Sequence, residues 1–237
     1  MSYRNSRARR EFETQLRGAV TELTPLYKQA KNGGGSRLLA AYYVFAFAQL
    51  EIYIKSFVED TLSTLQQHKP SFDKWPDLLL GYMLHRGENL GADYRRYGIS
   101  EDEGAILTKL AQTARKVVDW GGGGPLPAPL DSSVFLEKKK YPSPANLPQL
   151  FKRVGVPKIW DVVSRAGRMN SELTLTSLND LRTGIAHEGR VPPNFGMSDF
   201  REKIQHMERF VAALDRGVAG HFCPAVINRT NWNIAMA

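Results

Sequence analysis

The chain has 237 residues, 42% hydrophobic and 24% charged, which is enough to bury a substantial core and too apolar for a disordered chain. Its 32 Lys+Arg against 24 Asp+Glu give a net charge of +8, which favours a polyanionic partner without proving one. The single cysteine, Cys223, excludes an internal disulfide; no apolar core follows the arginine-rich first residues, and the longest uncharged run, 38–50, is too short to span a bilayer, so a soluble cytoplasmic protein with no membrane partner is expected.

Hydrophobic periodicity predicts helix nearly throughout. Residues 11–31 read as an amphipathic helix ended by Asn32, Gly33, Gly34 and Gly35, with Ser36 as N-cap of the next. That second helix, 37–68, is the longest. Its stretch from Leu38 to Ala48 is apolar on nearly all sides, the pattern of a helix at the centre of a bundle. Pro70 and Pro76 bracket a break before a helical stretch at 77–88. Ser100, Glu101, Asp102 and Glu103 form a capping-box signature opening a helix to about Trp120.

Four glycines at 121–124 and Pro125 stop that helix. From there to Pro148 a long exposed loop or flap is expected, carrying Lys138, Lys139 and Lys140. Two short helices follow at 147–154 and 157–167, the second with Pro157 in its first position. Helices at 173–187 and 198–218 complete the set, with an irregular tail from His221. The basic clusters Arg4, Arg7, Arg9, Arg10 and Lys138 to Lys140 read either as solvated segments or as a means of steering nucleic acid.

Most catalytic signatures leave no trace: no phosphate loop with lysine, no Cys/His cluster at metal spacing and no serine nucleophile elbow. Neither metal nor cofactor is expected. What stands out is Leu181-Arg182-Thr183-Gly184-Ile185-Ala186-His187-Glu188-Gly189. Arginine offers a planar, permanently charged fork that matches a phosphate, and histidine can exchange a proton near neutral pH. The spacing alone is weak evidence, because Arg201/His206 and Arg216/His221 share it. Context separates the three. Arg201 and His206 fall on opposite flanks of their helix's apolar stripe, and Arg216 and His221 sit at a fraying, glycine-flanked end. Arg182 lies on the same side as Leu178, Leu181 and Ile185, so its charge is turned partly inward and requires a partner. Glu51, in the most apolar part of the central helix, is the best candidate; the alternative is a partly exposed Glu51 on the polar edge of that helix. His187 lies about 140° round the helix from Arg182. The two can still meet if the helix distorts at Gly184 or Gly189, or if two copies of the chain share each site.

The pattern Leu178-x-x-Leu181-Arg182-Thr183-Gly184-Ile185-Ala186-His187-x-Gly189, followed by a proline-containing connector and a final amphipathic helix, resembles the signature of the HEPN (higher eukaryotes and prokaryotes nucleotide-binding) superfamily. Ala48-Gln49-Leu50-Glu51-Ile52-Tyr53-Ile54 is similar to the acidic-residue helix of the same superfamily, most like its RiboL-PSP branch. The likeness covers about 36–70 and 146–220, which implies one all-α HEPN-like domain over 1–237 with an insertion at about 71–145. It also implies a metal-independent endoribonuclease, dimeric, commonly a toxin in toxin-antitoxin or antiphage systems, with an antitoxin or defence-system protein as a further partner. By position, Arg182 would hold the scissile phosphate of an RNA substrate and His187 would exchange a proton with the ribose 2'-hydroxyl or the leaving 5'-oxygen. The products would be a 2',3'-cyclic phosphate and a 5'-hydroxyl. Glu51 would play a supporting part. So would Thr183, which stands where the family usually carries Asn, Asp or His and whose hydroxyl can still hydrogen-bond. The alternatives are a catalytically silent HEPN module that binds nucleic acid, a nucleotide or a protein, and a structural dimerisation domain in which Arg182 only pairs with Glu51.

Overall fold

The computed structural model describes residues 2–30, 34–87, 103–126, 130–139 and 141–237. Among these the chain forms ten α-helices, one short 3-10 turn at Phe72–Lys74 and no strand, as an all-α bundle requires. In chain order they are α1 (Arg7–Gln29), α2 (Gly34–His68), α3 (Asp77–Gly87), α4 (Glu103–Gly121), α5 (Ser132–Leu136), α6 (Asn146–Val154), α7 (Ile159–Gly167), α8 (Ser171–Glu188), α9 (Met197–Phe222) and α10 (Arg229–Ala235).

The centre is α2. By length and composition it could cross a membrane, but here Tyr43, Leu50, Ile54 and Phe57 are fully covered within one hydrophobic core that runs from Ala8 to Met236. Helix α1 lies along α2, with Phe12, Leu16 and Leu23 buried at helical spacing. Helices α8 and α9 pack on its other sides. The buried phenol of Tyr43 donates to the Leu178 carbonyl at 2.9 Å, which ties α2 to α8. Helix α7 runs antiparallel to α9 and meets it closely: a Cβ at Gly217 would stand 2.9 Å from Val162 Cγ1, and one at Gly167 would stand 2.8 Å from the Ala213 Cβ. Glycine is required at both places because the helices touch there.

Several expectations need correction. Helix α1 begins at Arg7 because the Ser6 hydroxyl accepts from Arg9 N at 3.1 Å, a regular N-cap. Its arginines are not a loose tail. Arg7 pairs with Asp60 at 2.9 Å, Arg9 with Glu13 at 2.6 Å, and Arg10 donates to the Asn5 and Ala237 carbonyls. Helix α2 starts at Gly34, so Ser36 lies inside its first turn. Pro157 stands two residues before α7 rather than within it. The capping signature falls at Ser100, Glu101 and Asp102, which, with Lys140, Asn32 and Gly33, lie outside the described residues. The stretch before Pro148 is not simply exposed: α5 buries Phe135 and Leu136, and the Tyr141 ring stands 5.6 Å from that of Phe47. Nor is the tail irregular. Helix α9 continues to Phe222, and α10 seals the end of the core with Trp232, which is stacked on Phe222 at 5.6 Å and 1% exposed.

The N-terminal segment meets a buried carboxylate in α9 and is tied to the C-terminal helix beside it. Ser6 N donates to Asp215 Oδ2 at 3.1 Å, the Tyr3 phenol lies against the same group, and Arg7 N donates to the Met236 carbonyl at 2.7 Å. Desolvation raises the Asp215 pKa, only partly offset by Tyr3, Ser6 and Arg9. Because the folded-state value is the higher one, the neutral carboxyl stabilises the fold. That contribution is complete below the unfolded value of about 3.9 and is lost as pH rises through the raised folded value. Asp215→Asn, neutral throughout, is therefore expected to lack this term in a series of melting temperatures against pH. Parallel profiles for the two proteins would contradict it.

Candidate functional site

Helix α8 is built to hold one face against the core and to end abruptly. Asn170 caps it by accepting from Leu173 N at 3.0 Å, and Leu175, Leu178 and Ile185 form the buried stripe. It stops at Gly189, whose φ of 68° is the left-handed conformation that glycine adopts without a Cβ penalty.

Arg182 lies near the buried stripe and is half-buried, as its angular position predicts. The ion pair with Glu51 does not form. Glu51 is paired instead with Lys55 of its own helix at 3.1 Å, and its side chain is 31% exposed, so it occupies the polar edge of α2. Arg182 is held by an aromatic face: its Cζ stands 5.3 Å from the centroid of the Tyr141 ring. A guanidinium held over a ring face keeps N–H donors for another ligand, which a bidentate carboxylate would have consumed.

Tyr141 is the residue that sequence reasoning missed. It is clamped from three sides: its ring packs on Phe47, its hydroxyl donates to Asn179 Oδ1 at 2.7 Å, and Arg182 covers its face. Burial raises the phenol's pKa, the Arg182 charge opposes that, the Glu51 charge adds to it, and the Thr183 hydroxyl acts in the same direction as Arg182. Glu51, Arg182, Thr183 and Asn179 are thus all gathered around one tyrosine. Asn179 is one turn before Arg182 on α8 and could have been suspected from its spacing. Tyr141 lies in a proline-flanked stretch without periodicity and gave no such signal.

His187 stands apart from this group. It is exposed in the last turn of α8, and the helix runs through Gly184 without a break. No distortion therefore brings it round to Arg182. Within one chain the two side chains leave α8 about 140° apart and roughly 7.5 Å apart along its axis. Between them, a Cβ at Gly184 would have nothing within 4 Å.

The other two Arg/His pairs differ from expectation in one case. Arg201 donates to Thr24 Oγ1 at 3.3 Å, while His206 lies 3.9 Å from Glu202, ordinary surface contacts on separate flanks. Arg216 and His221, however, are not on a fraying end. Arg216 donates to the Ala166 carbonyl and His221 Nε2 lies 3.1 Å from the Gly155 carbonyl. A cavity of about 730 Å³, lined by Lys69, Phe72, Trp120 and the glycines at 121–124, lies elsewhere in the molecule. Among the described residues no group of three metal-ligating side chains is assembled.

An all-helical bundle is the class of architecture that the sequence resemblance implied. The RiboL-PSP-HEPN family model matches residues 14–219, and the chain belongs to that family within the HEPN superfamily. No curated protein and no solved structure gives a significant match.

Proposed function

We propose that the protein is a metal-independent endoribonuclease in which Arg182 of one copy and His187 of a second copy form each site. The observation that carries this reading is the setting of Arg182. Its guanidinium is fixed on the Tyr141 ring and, among the described residues, has no carboxylate within ion-pair distance. Such a group can take a phosphate without first giving up a partner.

The chemistry asks little more of the protein. The ribose 2'-oxygen attacks phosphorus, the bond to the 5'-oxygen breaks, and the products are a 2',3'-cyclic phosphate and a 5'-hydroxyl. Arg182 stabilises the charge on the non-bridging oxygens. His187 moves a proton, either from the attacking hydroxyl or to the leaving oxygen. In a cell such an enzyme would act as a toxin or antiphage effector, with an antitoxin or defence-system protein as its partner. The second reading is a silent module that binds nucleic acid or a protein, and one observation favours it: Thr183 stands where the family usually has Asn, Asp or His.

Incubation of the purified protein with total RNA in excess chelator tests the proposal. Wild type is expected to cleave, and His187→Ala to lose about 10²–10⁴-fold in rate, the usual worth of a general acid or base. Equal cleavage by both proteins refutes the assignment of His187, and RNA binding without any cleavage favours the silent module.

A further inference from the structure

The antiparallel contact between α7 and α9 leaves a groove of about 410 Å³ lined by Val162, Arg165, Ala166, Arg216, Gly220 and His221. We propose that this groove is a second phosphate subsite, binding the backbone of single-stranded RNA away from the Arg182/His187 segment. The inference rests on the ribonuclease reading for the identity of its ligand, not for its geometry.

Three observations support an anion here. The groove gathers two arginines and a histidine from two helices, and among the described residues none of the three forms an ion pair. The nearest carboxylate along α7, Asp161, is exposed one turn before Arg165 and is not bridged to it. Secondly, the two α9 side chains are already positioned. Arg216 Nη2 donates to the Ala166 carbonyl at 3.1 Å, which uses one of its five donors and leaves the others. Because a carbonyl only accepts, His221 Nε2 carries the proton in its 3.1 Å contact with Gly155, which fixes the ring at the edge of the groove. The Phe222 ring, edge-on to the imidazole at 5.3 Å, holds that orientation.

Thirdly, the floor is bare. A Cβ on Gly220 would meet nothing within 4 Å, so a phosphate can approach the helix there without displacing a side chain. Ser164 of α7 is bonded to Ser171 at the start of α8, which puts this end of α7 beside the first turn of that helix. Arg182 is eleven residues further on, about 16 Å along the axis at the usual helical rise. A strand of several nucleotides could therefore occupy both places, the groove supplying charge and the α8 segment the chemistry.

Gly220 also provides the test, because it can be changed without touching either arginine. In Gly220→Glu a carboxylate enters the groove from an open helical position, whereas Gly220→Gln adds the same bulk without charge. Binding of a fluorescein-labelled single-stranded RNA 12-mer to the full chain is measured by anisotropy across a salt series. Gly220→Glu is expected to weaken binding at least about tenfold and Gly220→Gln less than about twofold, while Arg165→Ala/Arg216→Ala lowers the salt slope by about 1.5, near two phosphates' worth for a single strand. Melting curves show whether each variant remains folded. Equal binding by wild type and Gly220→Glu, or equal losses in the Glu and Gln variants, overturns the subsite. Loss of binding specific to Gly220→Glu in a protein that never cleaves RNA would uphold the subsite while the ribonuclease reading fails, so the two ideas are separable.

Discussion

Mixing Arg182→Ala protein with His187→Ala protein, each inactive alone, is expected to restore RNA cleavage to about a quarter of the wild-type rate. The figure follows from symmetry. If each site takes its arginine from one copy and its histidine from the other, random reassociation makes about half of the dimers mixed, and each mixed dimer has one intact site and one doubly defective site. The expectation arises from α8 itself. That helix is unbroken through Gly184, so the two side chains leave it on different faces, and two copies sharing each site would bring them together. The two proteins are unfolded and refolded together, and cleavage is compared with a mock mixture of each variant with itself. An inactive mixture whose chains have demonstrably exchanged places both groups in one chain's site and overturns the shared arrangement. Both substitutions are suited to the purpose. His187 is exposed, and Arg182 loses a stacking contact rather than a buried ion pair.

The largest expected loss of stability is at the far end of the bundle. Trp232→Ala should destabilise the protein by about 3–5 kcal/mol, the usual range for deleting a buried large aromatic. In a chain of this size that corresponds to a drop in melting temperature of roughly 6–20 °C. The indole is 1% exposed and parallel to Phe222, and its helix also places Met236 against Thr64 of α2 and the Met236 carbonyl on Arg7 N. The cavity would therefore open where α2, α9 and the start of α1 meet. A shift under about 2 °C by thermal denaturation would show that α10 is an appendage rather than a part of the core.

The features legible in the sequence were those with a period. Helix α2 announced itself through an apolar run, and α8 and α9 through stripes at three and four residues, so the bundle and the inward placement of Arg182 could be read directly. Features that depend on chain segments meeting across the fold could not. Glu51 looked like a buried carboxylate because its neighbours in sequence are apolar, yet a 35-residue helix has an edge even at its centre, and Lys55 one turn away satisfies it. Tyr141 has no helical register to betray it and gains its meaning only from Phe47, Asn179 and Arg182, which lie 94, 38 and 41 positions away. Trp232 was missed for a related reason: α10 spans only Arg229–Ala235, too short for a stripe. Asn228 caps it, accepting from Asn231 N at 2.8 Å.

Gly184 bears on how α8 meets other molecules. A glycine inside a helix costs about 1 kcal/mol relative to alanine, and here no neighbour demands the smaller residue. The result is a notch one methyl deep on the helix surface between Arg182 and His187. Asp180, His187 and Glu188, one helical turn to either side and all exposed, rim that notch, so whatever settles there meets bare backbone framed by charge.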